Sequence, residues 1–155
     1  MITLEFADIF SMFHNKIDAY DFLELTNEEI NMFETEWLKT AGSKVYVRRL
    51  FSTYQFDADS EVINFEMQYA TDDGADTDFV IEILAIGMCV EWLSPKVNSL
   101  TGIYQTYGSK EEKFYSESQH LKEIRALRDS WKNEQRKMIR DRGYIFNSYI
   151  EGYGD

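Results

Sequence analysis

The stretch DTDFVIEILAIGMCVEWLSP, residues 76–95, decides the fold because its apolar residues leave no polar side on a helix. Twelve of the fifteen residues at positions 79–93 are apolar, and the exceptions are Glu82, Gly87 and Glu91. At about 100° per residue the two glutamates fall on opposite faces, so the helix has no solvated stripe. A helix of this kind is buried in the interior of a protein. We therefore predict a central core helix over about 79–93.

The flanking residues predict where this helix begins and ends. Asp76, Thr77 or Asp78 can cap its start by accepting hydrogen bonds from free amides. Ser94-Pro95 predicts its end, because proline lacks an amide proton and disfavours helical geometry in the residue before it. A membrane span is excluded, because the segment is shorter than the roughly 20 residues required and carries two ionisable groups.

Composition indicates one folded, acidic domain. The chain has 155 residues, and 28 acidic against 16 basic residues give a net charge of −12. Such acidity makes it a poor ligand for nucleic acid or acidic membranes. Its single cysteine, Cys89, excludes a disulfide framework and fits a reducing compartment. The N-terminal segment carries acids where a signal peptide would be positive, so export is not expected.

Two further helical regions and a hairpin surround the central helix. Thr26 and Glu29 form a capping box that predicts a helix from about residue 27. The apolar stripe predicted for that helix is Ile30, Phe33, Trp37, Ala41 and Val45. Another capping box, Ser116 with Gln119, predicts a long C-terminal helix over about 117–142, with Gly143 as its stop. In the first segment, an apolar spacing of three to four residues predicts a short amphipathic helix or an arm, with the apolar residues Phe6, Phe10, Phe13, Ile17 and Tyr20.

Residues 52–69 change to the two-residue period of a strand, which predicts a β-hairpin pairing 52–56 with 61–69. A helix-capping loop without strand pairing is the alternative. The predicted fold is therefore mainly α, a small helical bundle with this hairpin. We expect one domain over 1–143 and a C-terminal docking tail over 144–155.

No pattern of residues predicts catalysis. His14 and His120 lie in separate segments, and neither has a partner motif for a nucleophile or a general base. The acidic loop 72–78 lacks the glycine and glutamate positions of a calcium loop. We therefore predict that the chain is not an enzyme and holds no cofactor and no metal.

The C-terminal tail is unusually aromatic. Its large apolar residues are Tyr144, Ile145, Phe146, Tyr149 and Ile150, together with Tyr153. Left exposed, they would form a large apolar patch, so they must dock. They could fold back onto their own bundle, or they could bind another subunit or a different protein.

The order of these parts resembles the head–tail adaptor (connector) proteins in the neck of tailed bacteriophages. The resemblance is carried by ILAIGMCVEWLSPKVNSL at 83–100 and FYSESQHLKEIRALRDSWKNEQRKMIRDRGY at 114–144, and it extends over about 26–150. It implies a structural protein of the virion neck, made in the cytoplasm of the bacterial host. By this resemblance, about twelve copies form a homo-oligomeric ring under the portal protein.

The resemblance also implies what the ring does. It continues the channel through which DNA passes without specific binding, and it carries the next neck or tail-completion protein. In such proteins the segment after the long helix engages the portal, which corresponds to Tyr144–Ile150 in this sequence. Asp72, Asp73 and Asp76 are our candidates for lining the channel. The competing interpretation is an acidic regulatory protein or DNA mimic that acts as a monomer or dimer.

Overall fold

The computed structural model describes residues 1–17, 25–106 and 111–145, with side chains over 1–17, 25–98 and 119–143. These residues form five helices and a three-stranded antiparallel sheet. In chain order the elements are β1 (Ile2–Glu5), α1 (Phe6–Lys16), α2 (Asn27–Ser43), α3 (Val45–Arg48), β2 (Phe51–Asp57), β3 (Val62–Met67), α4 (Asp73–Thr106) and α5 (Glu111–Ile145). The mainly α fold with a hairpin predicted from the sequence is confirmed.

The central helix α4 is the core of the fold. Every residue from 83 to 90 is buried, and α4 packs against α1, α2 and α5. Its two half-buried glutamates are each neutralised by a neighbouring element: Glu82 accepts from Lys16 Nζ at 2.6 Å, and Glu91 lies 3.3 Å from Lys44 Nζ. The prediction that this helix is covered on all sides is therefore confirmed. Among the described residues, no helix meets the length and apolarity that crossing a membrane requires.

The predicted ends of α4 were wrong. The helix begins at Asp73, and Asp72 caps it by accepting from Ala75 N at 2.8 Å. It also continues past Pro95 to Thr106. A proline inside a helix costs about 3 kcal/mol, because it removes one hydrogen bond and crowds the preceding turn. Burial of Val97, one of the residues after the proline, offsets part of this cost.

Helix α5 also begins earlier and ends later than predicted. Ser116 lies inside the helix, so its spacing to Gln119 does not mark the start. Gly143 lies in the last turn, and no described glycine has a positive φ angle, so Gly143 is not a left-handed stop. The spacing of Leu121, Ile124, Leu127, Trp131 and Met138 predicts an apolar stripe on this helix, but Leu127 is 43% exposed, whereas the polar Gln135 is buried.

The capping box of α2 is confirmed, because Glu29 N donates to Thr26 Oγ1 and Thr26 N donates to the Glu29 carboxylate. Its predicted apolar stripe was partly wrong. Phe33 is 42% exposed and Val45 is 74% exposed. Val45 leaves the stripe because Lys44 adopts an extended backbone conformation, which ends α2 and starts α3 in a new direction.

The sheet has the order β1-β3-β2, with β3 in the centre. The predicted hairpin is present as β2 and β3, with Phe56 opposite Ile63. Strand β1 was not predicted, and it pairs with the other edge of β3, placing Leu4 opposite Ile63. Leu4, Ile63 and Phe65 are buried in the same apolar core as α4. The hairpin is therefore supported both by a third strand and by the helical bundle, as an otherwise marginal hairpin requires.

Candidate interaction surface

A cleft of about 320 Å³ opens where the last turn of α5 meets the chain on either side of the hairpin. This volume lies in the range of about 300–1,000 Å³ that is typical of binding pockets. The lining residues are Tyr46, Arg49, Leu50, Tyr69, Ile139, Arg142 and Gly143. We refer to this site as the aromatic cleft.

The two tyrosines of the aromatic cleft come from segments that the hairpin brings together. Gln68 N, just after β3, donates to Leu50 O, just before β2, at 2.8 Å. This bond places Tyr69 beside the end of α3, which carries Tyr46. Tyr46 is 45% exposed and Tyr69 is 52% exposed, so both rings present apolar surface to solvent. Exposed aromatic side chains of this kind are typical of interaction surfaces.

Arg142 lines the aromatic cleft and fixes the end of α5 to the start of α4. Its Nη2 donates to Asp76 Oδ1 at 2.7 Å and to Tyr69 O at 2.9 Å. Its guanidinium group also lies over the Phe79 ring, 4.6 Å from the centroid. Because the Arg142 and Asp76 side chains are only 12% and 2% exposed, this is a buried ion pair. The Arg142 side chain is therefore held in place by several directed contacts.

Asp76 does not present its charge to solvent, contrary to the expectation that it lines a channel. Its carboxylate accepts from the Thr71 hydroxyl at 2.7 Å and from Thr71 N at 3.1 Å, in addition to Arg142. Burial raises its pKa, but the hydrogen bonds from Thr71 and Arg142 outweigh that effect and hold the pKa below the ordinary 3.8. Asp72 and Asp73 are exposed at the start of α4, so only these two of the three predicted residues face solvent.

The predicted docking residues lie at the edge of what the structure describes. Tyr144 and Ile145 belong to the backbone of α5, but their side chains are outside the described residues. Phe146, Tyr149 and Ile150 lie wholly outside the described residues. Their docking role stays a prediction. The structure does show where this segment begins. Helix α5 ends at Ile145, and Gly143, two residues earlier, lines the aromatic cleft.

Two buried titratable groups, Glu34 and Cys89, lie elsewhere in the bundle. His14 Nε2 contacts the buried Glu34 carboxylate between α1 and α2, a pairing that the sequence did not suggest. Burial raises the pKa of Glu34, and the bond to His14 partly offsets this. Burial also raises the pKa of the Cys89 thiol to about 12, so this cysteine is an unreactive core residue. Among the described residues, no group of three acidic, histidine or cysteine side chains could hold a metal ion.

Comparisons of the chain with protein-family models, curated proteins and solved structures found no match.

Proposed function

We propose that this chain is a structural protein of a tailed-phage neck, where it forms a ring under the portal, extends the DNA channel and connects the head to tail components. The proposal starts from the resemblance to head–tail adaptors. The two stretches that carry the resemblance correspond to α4 and α5, which pack against each other.

The observation that carries the proposal is the position of the end of α5. At about 1.5 Å per residue, its 35 residues form a helix about 52 Å long. The Arg142–Asp76 pair fixes its last turn beside the exposed rings of Tyr46 and Tyr69. The aromatic sequence that follows α5 therefore begins beside these two rings. An apolar segment attached to a rigid helix is well suited to reach a partner protein.

Multivalency makes such attachment effective. Burial of each large side chain among Phe146, Tyr149 and Ile150 yields roughly 1.5–3 kcal/mol before the cost of ordering the segment. Binding by one copy can therefore be weak. A ring presents many copies of the segment at once, and this makes the combined attachment firm.

The charge distribution supports passage of DNA through such a ring. Asp72 and Asp73 are exposed at the start of α4, and the chain as a whole carries a charge of −12. Carboxylates along a channel wall repel phosphate and prevent DNA from adhering as it moves. In this proposal the two exposed aspartates take the lining role, and Asp76 has a structural role.

The proposal is tested with the portal protein of the same phage. A chain lacking residues 146–155 keeps all of α5, and we expect it to retain its helical circular dichroism but to lose portal binding in native mass spectrometry. Leu127→Ser is the matched control, because Leu127 is an exposed apolar residue of α5 far from its end. We expect this variant to bind the portal normally.

Two results would contradict the proposal. One is that the shortened chain still joins DNA-filled heads at wild-type occupancy. The other is that the shortened chain fails to fold, since the aromatic residues would then belong to its own core.

A further inference from the structure

We infer that, before it meets any partner, the chain binds its own C-terminal segment, residues 146–155, in the aromatic cleft. This inference does not depend on the phage function, because it concerns the free chain alone. The aromatic cleft exposes an apolar surface, and the apolar segment 146–155 begins three residues after Gly143, which lines the cleft.

Proximity selects the segment of the same chain over other occupants. Gly143 lines the cleft, α5 ends at Ile145, and the segment begins at the next residue. Ten extended residues span at most about 33 Å, so the whole segment stays near the cleft. A short flexible connection gives an effective concentration in the millimolar range. A second copy at micromolar concentration competes poorly with that.

The chemistry of the segment complements the cleft. The sequence FNSYIEGYGD has four large apolar residues, two acids and no lysine or arginine. The cleft supplies the exposed rings of Tyr46 and Tyr69 and the apolar side chains of Leu50 and Ile139. Arg49, which also lines the cleft, is exposed and forms no ion pair among the described residues. Aromatic groups of the segment fit the apolar lining, and its acids fit the arginine.

Docking in this way has a functional consequence. It covers the exposed aromatic surface of the free chain and so lowers its tendency to associate non-specifically. A partner that captures the segment must first displace it from the cleft. The free chain then pays an opening cost that reduces its apparent affinity for single partners.

The inference is tested by photo-crosslinking in the full chain. A benzophenone side chain replaces Tyr149, and light and heavy isotope-labelled chains are mixed before irradiation and mass spectrometry. We expect adducts within single chains, on peptides that contain Tyr46, Leu50 or Ile139. Tyr46→Asp should lower the adduct yield several-fold, whereas Leu127→Asp should not change it. The two variants are matched because Tyr46 and Leu127 are 45% and 43% exposed.

Each other outcome overturns the inference. Adducts that join light to heavy chains would show that the segment is exchanged between copies. Adducts confined to peptides outside the cleft, or no adducts, would show that the cleft does not bind it. Equal yields in the two aspartate variants would show that the cleft surface does not matter. Portal binding is measured separately, so failure here leaves the proposed function open to its own test.

Discussion

Gly87 allows α4 to approach α2 and α5 closely, and its replacement by alanine tests this packing directly. A Cβ atom added at Gly87 would lie 2.8 Å from Ala41 Cβ and 3.2 Å from Gln135 Nε2. The first distance is about 1 Å shorter than the 3.5–4.0 Å at which carbon atoms pack best. Because Ala41 Cβ is fixed to the backbone of α2, the contact can be relieved only by moving a helix.

The expected cost follows from three contributions. Replacing glycine by alanine inside a helix normally gains up to about 1 kcal/mol. Overpacking a core costs about 1–3 kcal/mol. Moving Gln135 also weakens its buried hydrogen bond to Ile83 O, which is 2.8 Å long, and such bonds contribute about 0.5–1.5 kcal/mol. We therefore expect Gly87→Ala to lower the free energy of unfolding by about 1–3 kcal/mol, and Gly87→Leu to lower it further.

Urea unfolding followed by circular dichroism measures this cost, and Gly143→Ala provides the control. An added Cβ at Gly143 meets nothing within 4 Å, so that variant should be neutral or gain up to about 1 kcal/mol. Ala41→Gly should cost less stability in the Gly87→Ala background than in the wild type, because in that background it also removes the opposing methyl group. If Gly87→Ala is as stable as the wild type, α4 does not approach α2 closely at this position.

Two further predictions concern charged groups. Arg142→Gln should lower the free energy of unfolding by about 1–3 kcal/mol, because it leaves Asp76 buried without its cation. The control is Arg140→Gln at an exposed position, which should change the free energy of unfolding by less than about 0.5 kcal/mol. Because the pKa of Asp76 is depressed in the folded state, the ion pair stabilises the fold above the unfolded pKa, and this stabilisation is lost as pH falls. The difference in free energy of unfolding between the wild type and Arg142→Gln should therefore become smaller below about pH 4. Asp72→Asn together with Asp73→Lys keeps a residue that can cap α4 while removing negative charge, and we expect assembled particles to eject DNA more slowly. Normal ejection kinetics would show that Asp72 and Asp73 do not line the channel.

Part of the candidate site was predictable and part was not. The aromatic composition of residues 144–155 is visible in the sequence and predicts a docking segment. The aromatic cleft is not visible, because Tyr46, Tyr69 and Ile139 are far apart in the chain and meet only through tertiary packing. The buried pair of Asp76 with Arg142 joins residues 66 positions apart, and both types are usually exposed. No local signal marks such a pair, and this is why Asp76 was expected to face solvent.

The sequence by itself determined the features that depend on local periodicity and local hydrogen bonding. The apolar residues of 79–93 predicted a buried helix, the Thr26 capping box predicted a helix start, and the alternation near residue 65 predicted a strand. Tertiary structure alone decided where elements end and which side chains meet. Helix α4 continues through Pro95 because packing of the following turn can offset a local cost, and β1 forms because β3 offers it an edge. Such outcomes depend on contacts between distant segments, whose free energies exceed the small local preferences that a sequence pattern reveals.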